Sequence, residues 1–483
     1  MALPASAESC AMPKYVHDRE DWPKFHWNEE KLAVLLAAVS RHQGRLVGRM
    51  EALGFQLRAE AVLETLTEEV IKSSEIEGEI LDKDQVRSSL ARRLGMDIGG
   101  LTPAERNVEG VVEMMLDATQ NFAEPLTDER LFGWHAALFP TGRSGMKRIA
   151  VGKWRDEKAG PMQVVSGAAG HERVHFEAPQ AKRLPKEMRA FLRWFNDTAG
   201  VDPVLKAAIA HLWFVTIHPF EDGNGRIARA IADMALARSE GSPRRFYSMS
   251  AQIREERKGY YDILEATQKG DLDITPWLKW FLRCLDRAFD GADDVLATVL
   301  TKARFWQSHA GEPFNERQSL MLNRLLDGFE GKLTSSKWAT IAKTSQDTAS
   351  RDIDDLLRRH ILFREPGGGR SVSYLLVVTA ADPLRAIASY TRMYSTMSVW
   401  TGATLASADE RAERRRQIET VADKFDALAE RSLREKVTYE MFEGVRDELQ
   451  QYGAFPEGDL VSAVAFIMHR DQRSAPLLAS TRA

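Results

Sequence analysis

Cysteine is almost missing from this chain. Cys10 and Cys284 are the only two in 483 residues; they lie far apart and lack metal-ligand spacing, which leaves no basis for a disulfide framework or a zinc site. No apolar run approaches the roughly 20 residues that a membrane span needs. Charge of one sign is lacking too: 66 Lys and Arg against 70 Asp and Glu give a formal net charge of −4, with no global pull toward nucleic acid or anionic membrane. The first residues show neither the basic start nor the apolar stretch of a secretory signal, so a reducing cytoplasm is the expected location. With 44% hydrophobic and 28% charged residues, the composition is that of a globular protein whose length suggests about three domains.

What is present is concentrated in twelve residues, His218-Pro219-Phe220-Glu221-Asp222-Gly223-Asn224-Gly225-Arg226-Ile227-Ala228-Arg229. Upstream, Asp202-Pro203 reads as an N-cap followed by proline at the first helical position, and Val204, Leu205, Ile209, Leu212, Trp213, Val215 and Ile217 surround that helix with apolar side chains. Pro219 forces the helix to stop near Ile217 and moves His218 out of the α region. Gly223 and Gly225 leave room for backbone N–H groups to converge on an anion. A second helix is expected from about Arg226, with Ile227, Ala230, Ile231, Met234 and Ala235 on its apolar face and its positive dipole end toward the same anion.

Arg226 and Arg229, three apart on that helix, can reach the outer phosphates of a nucleotide. Asp222 is a hard oxygen ligand of the kind magnesium accepts. His218 is a general base that titrates near neutral pH. Loop, metal ligand and base together point to attack on a nucleotide phosphate. Each residue alone also fits a plain joint between helices; the whole string does not.

The string resembles the core motif of the Fic family, HPFx(D/E)GNGRxxR, at every specified position. The resemblance implies an α-helical fold that carries AMP from ATP to a hydroxyl side chain of a protein target. It also implies roles: His218 deprotonates the hydroxyl, Asp222 holds Mg2+ at the α- and β-phosphates, Gly223, Asn224 and Gly225 form the anion hole, and Arg229 grips the γ-phosphate. Gly225 stands where family members that phosphorylate their targets carry lysine, which favours nucleotidyl transfer. Arg257, Tyr260, Tyr261, Leu264, Glu265, Gln268, Gly270 and Asp271 are similar to the segment after the motif, so Tyr261 and Gln268 are expected to border the adenosine. Tyr260, Tyr261 and Leu264 read equally well as a core face at helical spacing.

Gly160-Pro161-Met162-Gln163-Val164-Val165-Ser166-Gly167 reads as a short hairpin or extended flap. In the family this flap docks the target, which makes Met162, Gln163, Val164 and Val165 candidates for strand addition to an extended segment. Ser73-Ser74-Glu75-Ile76-Glu77-Gly78 contains Ser-x-x-x-Glu-Gly, weak by itself; beside a Fic core it looks like the family's inhibitory motif, with Ser73, Glu77 and Gly78 on an N-terminal helix. A glutamate paired with Arg229 would occupy the arginine that should take the γ-phosphate. Trp22, Phe25, Trp27, Leu32, Leu35 and Leu36, followed by Gln43 to Leu46, Met50 and Leu53-Gly54, are read as packing support.

Further on, Leu320, Leu322, Leu325 and Leu326 mark one amphipathic helix, Trp338 to Lys343 a second, and Asp347 to Ile361 a third, before Gly367-Gly368-Gly369-Arg370 and Val372 to Val378. Three helices and a β-wing make a winged helix. Asp347, Asp352, Asp354 and Asp355 on its presumed recognition helix oppose DNA phosphates, so a protein-docking or dimerising role is favoured over DNA binding. Asp409 to Glu435 is a charged helix with Ile418, Val421, Phe425 and Leu428, and Phe442, Val445 and Leu449 continue on another; a short coiled coil and a docked helical hairpin both fit.

The expectation is a mainly α protein: a helical N-terminal segment over 1–100 with the inhibitory motif, a Fic core over 101–290 with a short β-hairpin flap, a winged helix over 310–380 and a helical extension over 383–483. Its expected activity is restrained AMP transfer, automodification included, to a protein hydroxyl. The alternatives are a de-AMPylating hydrolase using the same site and a winged-helix DNA-binding regulator.

Overall fold

The structure is a computed structural model, and it describes residues 14–96, 102–157, 160–166, 171, 173–197, 200–329, 331–364, 372–378, 388, 391, 408–432 and 439–450. The chain divides into two compact units, Met1–Leu300 and Thr301–Ala483.

The first unit is mostly helical. Its helices are α1 Glu29–Glu51, α2 Phe55–Ile76, α3 Lys83–Arg93, α4 Arg106–Gln120, α5 Asp128–Leu138, α6 Leu184–Asn196, α7 Pro203–Ile217, α8 Asn224–Glu240, α9 Met249–Glu255, α10 Arg257–Gln268 and α11, which starts at Thr275 and runs to Ser308. Two small antiparallel hairpins interrupt them, β1 Arg143–Ser144 with β2 Lys147–Arg148, and β3 Gln163–Ser166 with β4 Arg173–Glu177.

The centre is α7. Asp202 caps it by accepting from the N–H groups of Val204 (2.9 Å) and Leu205 (3.2 Å), and from Val204 to Ile217 only Lys206 is not buried. A helix apolar on all sides has to be wrapped by others. One continuous core joins α7 to Leu63, Leu66 and Val70 of α2, Met114 and Met115 of α4, Ile227 and Ile231 of α8, and Trp277 and Phe281 of α11. The aromatic N-terminal residues serve that packing: Trp22 and Phe25 stand edge-on to Trp213, with ring centres 6.3 and 5.9 Å away, and Trp22 donates its indole N–H to Glu187 (2.9 Å).

Polar ties fix α2 to the same frame. Buried Glu69 accepts from the Ser248 hydroxyl (2.7 Å) and the Ser250 N–H (3.0 Å). Asp233 on α8 accepts from Arg245 (2.9 Å), and burial, with Glu69 close by, pushes its carboxyl well above the usual carboxylate range.

The second unit contains α12 Glu316–Leu326, α13 Ser335–Ile341, α14 Gln346–Arg358, β5 Leu362–Arg364 antiparallel to β6 Tyr374–Leu376, α15 Ala408–Ser432 and α16 Tyr439–Gln450. Asn315 and Gln318 form a capping box at the start of α12. Leu322, Trp338, Ile353 and Leu362 share a small core of their own. The helix expected over Asp347 to Ile361 ends at Arg358, because His360 takes a left-handed φ of 54° before the strand. The acids on α14 divide by environment. Asp352 is buried and accepts from Arg317 (2.7 Å) and Asn315 (2.9 Å), and Asp355 accepts from Gln318 (3.0 Å), whereas Asp347 and Asp354 are exposed. Gly367 to Arg370 and most of residues 383–407 lie outside the described residues. α15 and α16 pack on each other through Phe425 and Phe442, 6.1 Å between ring centres, with Lys424 bonded to Glu448 (2.6 Å).

Candidate active site

The six residues between α7 and α8 form the joint on which the site is built. His218 ends α7, bonding its N–H back to Phe214 O (2.9 Å) while its backbone turns left-handed at φ 51°, ψ 59°. A histidine in that region costs on the order of 1–3 kcal/mol and persists only where its surroundings dictate it. Arg155 is a main source of that constraint. Its Nε donates to His218 O (2.8 Å), its backbone N–H to Pro219 O (2.9 Å), and a terminal nitrogen to Pro179 O (2.5 Å).

The His218 ring has a defined polarity. Nδ1 lies 3.3 Å from Val215 O; a carbonyl only accepts, so Nδ1 carries the proton and Nε2 presents its lone pair. The residue keeps some exposed surface, yet the protein around the ring pushes the imidazole down to about 4. It is therefore neutral at neutral pH and able to accept a proton.

The second half of the loop is locked internally. Asn224 is buried; its Oδ1 accepts from Phe220 N–H (2.9 Å) and its Nδ2 donates to Phe220 O (2.9 Å). Asn224 was expected in the anion hole with Gly223 and Gly225; its side chain is spent on the turn, and its backbone is left to face an anion. α8 also begins at Asn224, two residues earlier than expected, with Gly223 at φ 80° as N-cap. Ile227 is the first residue to bond back, to Gly223 O (3.0 Å), so the N–H groups of Asn224, Gly225 and Arg226 are the helix's orphan donors.

His135 on α5 braces the same turn from below. Its ring stacks on Phe220 at 4.2 Å and 7°, Nδ1 accepts from Gly152 N–H (3.2 Å), and Nε2 donates to Asp222 O (3.2 Å). Burial pushes this imidazole to about 4. The Asp222 carboxylate accepts from Gly223 N–H (2.6 Å) and from the Ser144 hydroxyl of β1. Among the described residues no group of three or more His, Cys, Asp or Glu is arranged to hold a metal.

Both arginines of the string are buried, and both are engaged by the end of α2. Arg229 donates from Nε to Ser73 Oγ (2.9 Å) and from one terminal nitrogen to Ser73 O (2.7 Å) and Glu77 (2.8 Å). Arg226 donates to Glu79 (2.6 Å) and lies over the Phe139 ring. Arg226 Nε and the other terminal nitrogen of Arg229 are buried without a partner among the described residues. Gly225 lets Glu77 in: a Cβ there would lie 2.1 Å from the carboxylate.

Tyr261 is partly exposed, with Arg257 over its ring (5.5 Å) and its hydroxyl 3.5 Å from Ile76 O, while Arg257 Nε donates to the same carbonyl (2.9 Å). Gln268 is buried and donates to the Thr216 hydroxyl (3.3 Å). The flap residues Gln163, Val164 and Val165 lie in β3, with Met162 just before it, and the pair β3–β4 carries a bulge between Val164 and Val165. Beneath them Phe176 packs on Tyr15, and His175 ties the hairpin to Glu265 of α10 (2.5 Å). Sequence reasoning missed Arg155, His135, Ser144 and Glu79.

Residues 125–236 match the model of the Fic/DOC family, the span that holds His218, the Gly-Asn-Gly turn and both arginines. The chain carries a Fic/DOC family domain over that span. Residues 15–96 of the chain match a second model, described as a domain of unknown function (DUF4172). It is 36% identical over 115 residues to a protein named protein adenylyltransferase Fic from Nematostella vectensis, covering 23% of this chain and 25% of that protein. To protein adenylyltransferase fic-1 of Caenorhabditis elegans it is 31% identical over 199 residues, 41% of this chain and 35% of the other. The matches thus span about a quarter to a third of these curated relatives. Among solved structures, a Fic family protein from Desulfovibrio desulfuricans G20 aligns at 21% identity with a TM-score of 0.43, covering 73% of this chain and 97% of that one. Fic-1 (aa134 - 508) from C. elegans aligns at 21% with a TM-score of 0.37, covering 55% and 74%.

Proposed function

We propose that this chain transfers AMP from ATP to a hydroxyl side chain of a protein target, itself included, and that Glu77 restrains the reaction. The observation that carries the reading is the pair of buried arginines at the N-terminus of α8, each with an N–H that lacks a partner, beside three orphan backbone donors and a neutral imidazole. Such a collection of fixed donors suits an anion of several charges.

In the proposed reaction the target hydroxyl oxygen attacks the α-phosphorus of ATP, the bond to the α–β bridging oxygen breaks, and pyrophosphate departs. The hydroxyl proton passes to His218 Nε2. The N–H groups of Asn224, Gly225 and Arg226 stabilise charge on the phosphate oxygens, and Arg229 holds the outer phosphates. Tyr261, partly open beside Arg257, would border the adenosine, and Gln268 would back that wall from its buried position. Asp222 fits as the one protein carboxylate of the one or two that magnesium usually takes, the rest of the shell being phosphate and water; when bound, the ion would neutralise charge on the phosphates. Met162 to Val165 would hold an extended target segment by main-chain bonds.

Glu77 occupies Arg229, so nucleotide phosphates must compete with a carboxylate already in place. The test is mass spectrometry of the purified chain after incubation with Mg-ATP. Glu77→Gly is expected to gain the mass of an adenylyl group, and His218→Ala in that background is expected to show none; an unmodified Glu77→Gly protein would count against restraint by Glu77.

For the second unit we propose a winged helix built from α12, α13, α14 and the β5–β6 hairpin. Leu333 bridges Tyr374 and so adds a third short extended segment beside the hairpin, which supports this assignment.

A further inference from the structure

The end of α2 is built in a way that bears on regulation beyond Glu77. Gly78 has φ 86° and donates to Glu75 O (3.1 Å), while Glu79 N–H donates to Ser74 O (3.0 Å). These two bonds are the paired closure of a Schellman motif, with glycine at the left-handed position. Its consequence is positional: Glu77, the last residue before the turn, and Glu79, the first after it, both reach α8. Glu77 meets Arg229 at 2.8 Å and Glu79 meets Arg226 at 2.6 Å. The two arginines stand three residues apart, on one side of the helix, and the two acids stand two apart across a tight turn, so the pairs match in register.

The second pair is not a loose surface contact. Arg226 is 6% exposed, its guanidinium rests on the Phe139 ring, and Asn107 on α4 reaches the other oxygen of Glu79 (3.4 Å). Arg226 supplies one of the orphan backbone donors, and its side chain is the other cation at the same helix end.

We infer that Glu79 is a second inhibitory acid, closing Arg226 as Glu77 closes Arg229, so that the nucleotide site is held shut by a double carboxylate latch on one Schellman turn. The inference rests on the nucleotide-binding reading given above. Removing Glu77 alone opens Arg229 but leaves a negative charge on Arg226, and full opening needs both acids gone. Both carboxylates keep about a third of their side-chain surface open, 34% for Glu79 and 33% for Glu77, so water screens the two pairs to a similar degree.

The test uses the full chain with Glu79→Gln, Glu77→Gly and the double variant, each checked for an unchanged thermal melt. Mg-ATP affinity is measured by calorimetry, and self-modification by intact mass. Glu79→Gln is expected to tighten ATP about two- to fivefold in the Glu77→Gly background, with a matching rise in self-modification at subsaturating ATP. ATP affinity and modification unaltered by Glu79→Gln in both backgrounds would overturn the second latch while leaving the role of Glu77 intact. If even the double variant bound no Mg-ATP, the nucleotide reading would fall, and the latch with it.

Discussion

At the scale of single residues, the candidate site is made of groups whose ordinary behaviour is altered by where they sit. His218 is the clearest. Its carbonyl partner fixes the proton on Nδ1, and burial holds the ring well below the usual imidazole range, at about 4. A base works only when deprotonated, so the sign is clear: activity should be flat through the neutral range and fall only as pH drops toward about 4. A pH series of kcat/KM for the Glu77→Gly protein checks this. An acid limb centred near pH 6.5, the free imidazole value, would show that His218 is not held as described.

The residues legible in the sequence are those whose meaning is carried by their immediate neighbours. Asp202-Pro203 announces a helix start, His218-Pro219 its end, and Gly223-Asn224-Gly225 a turn, because capping, the proline ring and missing side chains act within a few residues. How the Asn224 side chain is used was not legible: an amide can serve a ligand or the backbone, and only the closed Phe220 contact shows which. Arg155 and His135 had no local signal. Arg155 reaches His218 across 63 positions and His135 reaches Asp222 across 87, and nothing in their own neighbourhoods marks them as supports of a distant loop.

At the scale of elements, the end of α2 matters most. Ser73 and Glu77 lie one turn apart, so both face Arg229, and Gly78 permits the left-handed residue that closes the helix. The motif Ser-x-x-x-Glu-Gly therefore has a conformational reason for its last position. Gly78→Val should break the closure, since a left-handed backbone costs an ordinary side chain about 1–2 kcal/mol and a β-branched one more. The expected outcome is higher self-modification with labelled ATP in a chain that keeps both acids. A rate equal to that of the parent would mean that the acids hold their places without the turn. The extended segment β3 was legible from its flanking glycines and β-branched residues, whereas its partner strand β4, beyond Gly167, and its anchor, His175 on Glu265, which joins segments 90 residues apart, could not be read in advance.

At the scale of the whole molecule, the first unit carries three histidines whose imidazoles burial drives down: His135 and His218 to about 4 and His211 to about 3. Each is lower folded than unfolded, so its stability contribution is whole above about pH 6.5 and is lost as pH falls from there through the folded values. Asp233 acts with the opposite sign, since its raised carboxyl favours the protonated fold, but it opposes three groups. Thermal melts should therefore hold steady from pH 8 to 7 and drop in temperature below about 6.5. A melting temperature independent of pH down to 4.5 would contradict the buried, neutral state of these rings.

Leu63, Leu66 and Val70 bind α2 into the wall of the common core, and that has a consequence for dosage. On the proposed reading, the acids at its end are tethered to their arginines at a local concentration set by geometry alone. Neither dilution nor overproduction of the protein alters the share of molecules that are shut. What alters it is the supply of ATP, or a ligand that lifts the final turn while the rest of α2 stays where it is.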